Sequence, residues 1–157
     1  FKKDSFEKLG TEFIKEYKKY RYAAELFPGV VQLFEALKKR GISNSILSAQ
    51  HQSLLDDHLS YYNISSNFLK IVGLDNHYAY SKIDNGFKLI QDLNIDVENI
   101  LMVGDTDHDF EVADAIGVDC ILLCHGHNST SRLDLTKATV IENLSELSQL
   151  FKINYMV

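Results

Sequence analysis

Apolar residues recur at helical spacing through the first stretch of the chain. Phe6, Leu9, Phe13, Ile14, Tyr17 and Tyr20 fall on one face, with lysines and glutamates on the others. The pattern predicts an amphipathic helix over residues 4–21, capped by Asp4 or Ser5. Pro28, the one proline, sets the start of a second helix through VVQLFEALKKRG, which Gly41 ends. Residues 22–27 between the two read as a hinge.

Beyond Gly41 the period alternates. ISNSILSA predicts a strand, SLLDDHLSYY a helix and FLKIVG a strand. SKIDNGFKLIQDLN is again helical, with Gly86 costing about 1 kcal/mol relative to alanine. NILMVG and DCILLC are short continuous apolar runs of the kind buried on both faces of a parallel sheet. DHDFEVADAIG between them predicts a helix stopped by Gly117, and a short TVIE strand and the helix NLSELSQLF close the chain. Strands alternating with helices of this length predict an α/β fold, a three-layer Rossmann-like parallel sheet flanked by helices. Ligands in such folds bind at the carboxyl ends of the strands.

Those ends carry the chemistry. ISNSIL runs into Ser48-Ala49-Gln50, and NILMV into Gly104-Asp105-Thr106-Asp107-His108-Asp109, while Ser81-Lys82 opens a helix between them. One aspartate at a helix N-terminus is accounted for by the helix dipole. Three at alternate positions beside a buried strand repel one another and exceed that explanation. A hard divalent cation such as Mg²⁺ would relieve the repulsion and recruit a phosphate, with a hydroxyl and an ammonium on the same rim.

Composition narrows the field. The 157 residues suffice for one sizeable core, and the net charge of −6 argues against a sequence-independent grip on nucleic acid or an anionic membrane surface. Two cysteines, Cys120 and Cys124, are too few for a disulfide scaffold and fit a reducing, cytoplasmic setting. No run approaches the roughly 18 apolar residues of a membrane span. CHGHNS, with Cys124, His125 and His127, matches no common structural zinc spacing and reads as a loop. Asn76-His77-Tyr78 reads as a loop before Lys82, and the tyrosines, including the pairs Tyr61-Tyr62 and Tyr78/Tyr80, as packing and rim residues.

VGDTDHDFEVADAIGVDCILLCHGH resembles the fourth motif and following strand of the haloacid dehalogenase-like hydrolase superfamily, nearest its phosphoglycolate-phosphatase-like branch. LFPGVVQLFEALKKRGISNSILSAQ resembles the segment reaching that family's second motif, whose hydroxyl residue matches Ser48. HYAYSKIDNGFKLI resembles the third-motif region, whose lysine matches Lys82, followed here by Ile83 and Asp84 instead of the frequent proline. The resemblance covers residues 22–151. It implies a Mg²⁺-dependent phosphatase acting on a small phosphorylated metabolite through an aspartyl-phosphate. Asp105 and Asp109 would serve the metal, and Ser48, the Ala49 amide and Lys82 the phosphate, with Ser48 and Lys82 also catalytic. Asp107 and His108 would point to solvent or neighbouring loops. Receiver-type signalling domains combine similar residues, but there the acids come first along the chain.

The resemblance also implies a first motif, an apolar strand ending in D-x-D that supplies the nucleophile. No such strand precedes Ser48, and the chain opens on Phe1. Residues 1–21 are therefore expected to be the last helix of a helical cap, and residues 22–157 an α/β core lacking its nucleophile strand. On that expectation the chain alone is inactive. It either pairs with the missing N-terminal segment or associates with itself, because the neighbours of the absent strand would have unpaired backbone groups. The alternative is a non-catalytic binding or regulatory protein on the same fold.

Overall fold

A computed structural model describes residues 3–75, 81–124 and 126–153. Its elements follow the predicted alternation. Helix α1 (Lys3–Tyr20) leads through a turn to α2 (Val30–Lys39), followed by strand β1 (Asn44–His51), α3 (Gln52–Tyr61), β2 (Phe68–Leu74) and α4 (Ser81–Leu93). Then come β3 (Leu101–Gly104), α5 (Asp107–Ile116), β4 (Asp119–Leu123), the short α6 (Thr130–Leu133), β5 (Thr139–Ile141) and α7 (Leu144–Ile153). Several boundaries differ from expectation, among them β1, which runs past Ser48 to His51, and β3, which starts at Leu101. Asp4 and Ser5 lie inside α1 instead of capping it, and α2 starts at Val30 with Gly29 as its N-cap, leaving Pro28 in the preceding turn.

The strands form two parallel sheets, β1–β2 and β3–β4–β5. The second sheet has an apolar layer on each face. On one side Leu33 and Leu37 of α2 and Leu144 and Leu147 of α7 pack with Ile121, Leu123 and Ile141. On the other, Val112, Ala113 and Ile116 of α5 gather Ile83 and Ile90 of α4 and Met102 and Cys120 of the sheet. Alternate residues of β3 divide accordingly, Leu101 facing the first cluster and Met102 the second.

No hydrogen-bonded ladder joins the two sheets among the described residues. Helices hold them together. Leu47 of β1 packs on the same α5 cluster as Met102 of β3, so the two strands share one layer. Helix α4 runs so close there that a methyl group at Gly86 would sit 3.2 Å from Ile116 and 3.3 Å from Leu47. Each of β1 and β3 therefore has one edge without a strand partner among the described residues. Within β3, Val103 is 42% exposed, unusual for a parallel strand, and it borders a cavity of about 610 Å³. Phe27, Val30, Leu123 and Leu144 line the cavity's apolar wall, and Gly104, Asp105, Gly126 and His127 complete its lining.

Candidate active site

The segment after β3 places three aspartates at the rim and gives each a separate partner set. Asp109, in the first turn of α5, is buried and works as a brace. Its Oδ1 accepts a hydrogen bond from Lys82 Nζ at 2.5 Å. Its Oδ2 accepts from the amides of Asp105 and Thr106, both at 3.0 Å, and from the Thr106 hydroxyl at 2.8 Å. Thr106 in turn accepts from the Asp109 amide at 3.1 Å, which closes a capping box at the start of α5. Burial pushes the Asp109 carboxyl upward, but the Lys82 hydrogen bond and charge, with the Thr106 and Asp105 donors, outweigh it and hold it below the ordinary carboxylate value.

The brace requires close approach of the backbone. A methyl at Gly104 would collide with the Asp109 side chain, coming within 2.6 Å of Oδ2. Gly104 is thus the residue that lets β3 end against a buried carboxylate.

Asp105 faces the loop after β4. Its Oδ2 accepts from the His127 amide at 2.8 Å and lies 2.8 Å from His127 Nδ1. A methyl at Gly126 would collide with the same carboxylate, so only glycine lets the loop lie against it. Asp105 Oδ1 has no protein partner among the described residues.

Asp107 ties that loop down. It accepts from Arg132 Nε at 2.8 Å and Asn128 Nδ2 at 2.7 Å, and pairs with Arg132 Nη2 at 2.7 Å. Arg132 and then Asn128 lower its carboxyl below the ordinary value. His108 pairs with Glu111 at 3.1 Å. Asp107 meets a neighbouring loop as expected, whereas His108 pairs within α5 and its Nε2 is buried without a hydrogen-bond partner among the described residues. The mutual repulsion of the three acids is relieved in large part by protein donors.

Ser48 and Ala49 sit where β1 leaves the ladder. The register with β2 runs through Leu47 and resumes at His51, so Ser48-Ala49-Gln50 bulges at the strand's end. Ser48 Oγ accepts from the Gln50 amide at 3.1 Å. Leu47, the residue before the bulge, packs on the α5 cluster and against α4 at Gly86. Lys82, Asp105 and Asp109 are linked directly, whereas Ser48 makes no hydrogen bond to any of them.

Mg²⁺ is the ion the motif pattern implies. Its habit is one or two carboxylate oxygens with several waters and substrate phosphate oxygens. The open Oδ1 of Asp105 is a hard donor of that kind, so the residues fit. Asp109, expected beside the metal, has both oxygens engaged. No group of three or more His, Cys, Asp and Glu side chains converges among the described residues. The zinc reading of CHGHNS gains nothing either, since His127 turns onto Asp105 and His125 lies outside the described residues, as do Asn76–Tyr80. Burial, with the Asp109 charge beside it, pushes the Cys120 thiol up to about 11.

The site is thus a buried lysine braced by an acid in the first turn of α5, beside a second acid with an open oxygen. The family model described as haloacid dehalogenase-like hydrolase matches residues 1–123, and the chain belongs to that family. It is 28% identical over 138 residues to phosphoglycolate phosphatase 1 of Pseudomonas aeruginosa, covering 86% of this chain and 50% of that protein. It is 25% identical over 126 residues to the tyrosine-protein kinase PtkA of Mycobacterium tuberculosis, covering 80% and 43%. A haloacid dehalogenase-like hydrolase structure from Streptococcus pneumoniae superposes with a TM-score of 0.80 at 22% identity, covering 96% of this chain and 72% of that one, and shows the shared fold. The chain spans about half the length of the curated relatives it matches.

Proposed function

We propose that this chain is the acid-, lysine- and serine-bearing part of a Mg²⁺-dependent phosphatase of small phosphomonoesters. On this reading the nucleophilic aspartate comes from a strand outside residues 1–157, seated between β1 and β3. That aspartate attacks phosphorus, the ester oxygen leaves with the alcohol, and water then hydrolyses the aspartyl-phosphate. Mg²⁺, when bound, supplies charge neutralisation between phosphate and carboxylates. Asp105 holds the ion through Oδ1, and Asp109 keeps Lys82 extended toward the rim. Lys82 draws in phosphate oxygens, and Ser48 with the Ala49 amide orients the transferred group. A cytoplasmic setting belongs to the same reading, as do residues 1–21 as the last helix of a cap.

The observation that carries the reading is the buried Lys82–Asp109 pair, bonded through Asp109 to the Asp105 amide. The edges of β1 and β3 that have no strand partner among the described residues, with exposed Val103 and the apolar cavity beside β3, favour an additional strand. The phosphatase among the relatives favours a small phosphomonoester, 2-phosphoglycolate being the first to try.

The test is turnover of 2-phosphoglycolate and p-nitrophenyl phosphate with Mg²⁺. The 157-residue chain alone is expected to be inactive, and a longer polypeptide carrying a D-x-D strand to be active. Robust turnover by the chain alone, abolished in Asp105→Asn, would overturn the placement of the nucleophile. Inactivity of every longer form, with metal still bound, would favour the non-catalytic alternative.

A further inference from the structure

Gln50 stands two residues beyond Ser48 and connects two parts of the molecule that sequence distance keeps apart. Its backbone amide donates to Ser48 Oγ at 3.1 Å, fixing the hydroxyl's rotamer at the strand end. Its side-chain Nε2 donates to the Tyr17 hydroxyl on α1 at 3.0 Å and lies 3.1 Å from His58 Nδ1 on α3. One residue thus bonds the bulge of β1 to the first helix of the chain.

The anchors of Gln50 are themselves held by ring packing. The His58 ring meets the edges of Tyr17 at 6.1 Å and Tyr22 at 5.8 Å, and Tyr22 stacks on Tyr61 at 4.2 Å. His58 Nε2 is buried without a hydrogen-bond partner among the described residues, so the ring is placed by its neighbours and by the Gln50 amide, whose Nε2 and Oε1 lie 3.1 Å and 3.4 Å from Nδ1. Arg21 reaches Asp57 at 3.5 Å, and the Tyr62 hydroxyl donates to the Ala24 carbonyl. These contacts dock the end of α1 on α3. Beside them α1 borders an open groove of about 320 Å³ lined by Glu16, Tyr17, Tyr20, Arg21 and Ala24, so the docking rests on few interactions.

We propose that Gln50 is a positioning residue that couples docking of α1 to the geometry of the Ser48 turn, with Tyr17 and His58 as its two anchors. When α1 docks, the Tyr17 hydroxyl and His58 hold the Gln50 side chain, and the Gln50 amide holds Ser48 Oγ. When α1 lifts away, Gln50 loses the Tyr17 bond and the bulge gains freedom. The consequence for phosphate binding rests on the reading of Ser48 as a phosphate contact.

The test uses Tyr17→Phe, which keeps the ring against His58 and removes only the hydroxyl, and Gln50→Met, which keeps length and removes the amide. The control is Tyr20→Phe on the exposed side of the same helix. Two readouts apply to the whole chain: amide hydrogen exchange at Gln50, and affinity for inorganic phosphate with Mg²⁺. Tyr17→Phe and Gln50→Met should speed exchange at the Gln50 amide and weaken phosphate binding, each by about three- to tenfold, the span one net hydrogen bond commands. The unfolding midpoint should fall by no more than that one bond accounts for, and Tyr20→Phe should leave both exchange and phosphate affinity at the parent's values. Unchanged exchange at Gln50 in both variants overturns the coupling. Faster exchange together with phosphate binding indifferent to Ser48→Ala supports the coupling and overturns the phosphate role of Ser48 instead.

Discussion

Lys82 Nζ lies 2.5 Å from Asp109 Oδ1, and both side chains are almost fully withdrawn from solvent, at 7% and 9% exposure. Twenty-seven residues separate them in the chain. Helix α4 brings the ammonium and α5 the carboxylate, and the α4–α5 contact around Ile83, Ile90, Val112 and Ile116 fixes the distance. Desolvating the two charges opposes folding, so the pair is a positioning device more than a source of stability.

Removing one partner strands the other. Lys82→Met should lower the unfolding free energy by about 3–5 kcal/mol, because Asp109 is left charged and buried. The double variant Lys82→Met/Asp109→Leu should lose much less than the two single changes summed. Urea unfolding at pH 7 checks both.

The pair also sets an acid dependence. The folded-state value of Asp109 is depressed, so its stabilisation is fully present above the unfolded carboxylate range and is lost as pH falls through the folded value. Asp107, depressed by Arg132 and Asn128, acts in the same direction. Stability of the parent chain should fall below roughly pH 4, and Asp109→Asn should be weaker at pH 7 but show a shallower acid slope. Unfolding curves collected from pH 7 down to the acid transition measure the difference.

Gly104 and Gly126 should respond differently to alanine. A methyl at Gly104 strikes the locked Asp109 side chain, so Gly104→Ala should cost about 1–3 kcal/mol in unfolding free energy. A methyl at Gly126 strikes Asp105, whose partner loop is exposed. Gly126→Ala should therefore leave stability nearly unchanged while weakening Mg²⁺ binding by about tenfold, roughly 1.4 kcal/mol. Calorimetric Mg²⁺ titration separates the two effects.

Arg132 should matter to the loop without touching the rim's acids other than Asp107. Arg132→Ala removes the pair to Asp107, so the Asp107 carboxyl should rise toward its ordinary value and exchange of the His127 amide should accelerate. NMR titration of carboxyl shifts and amide exchange reads both.

Much of this was legible in the residues. Short apolar runs between helical periods located all five strands among the described residues, and Gly117 marked the end of α5. α6 was not foreseen, since four residues are too few to show a period. The order of serine, lysine and acids named Ser48, Lys82, Asp105 and Asp109. What sequence could not supply was which oxygen each acid uses. Thr106 was overlooked, although Thr106-x-x-Asp109 has the spacing of a capping box. Arg132 and His127 lie 25 and 22 residues from the aspartates they meet, and only the β4–α6 chain path brings them back. Gln50 gave no signal because its role depends on where α1 docks.

The claim at the centre is that Lys82, Ser48 and an Asp105-bound Mg²⁺ share one phosphate. Titration of inorganic phosphate into the chain, with Mg²⁺ and again with a chelator, tests it most directly. Binding should require Mg²⁺, disappear in Asp105→Asn and weaken in Ser48→Ala and Lys82→Met. Equal affinity in chelator, or undiminished Mg²⁺-dependent binding by Asp105→Asn, would contradict it.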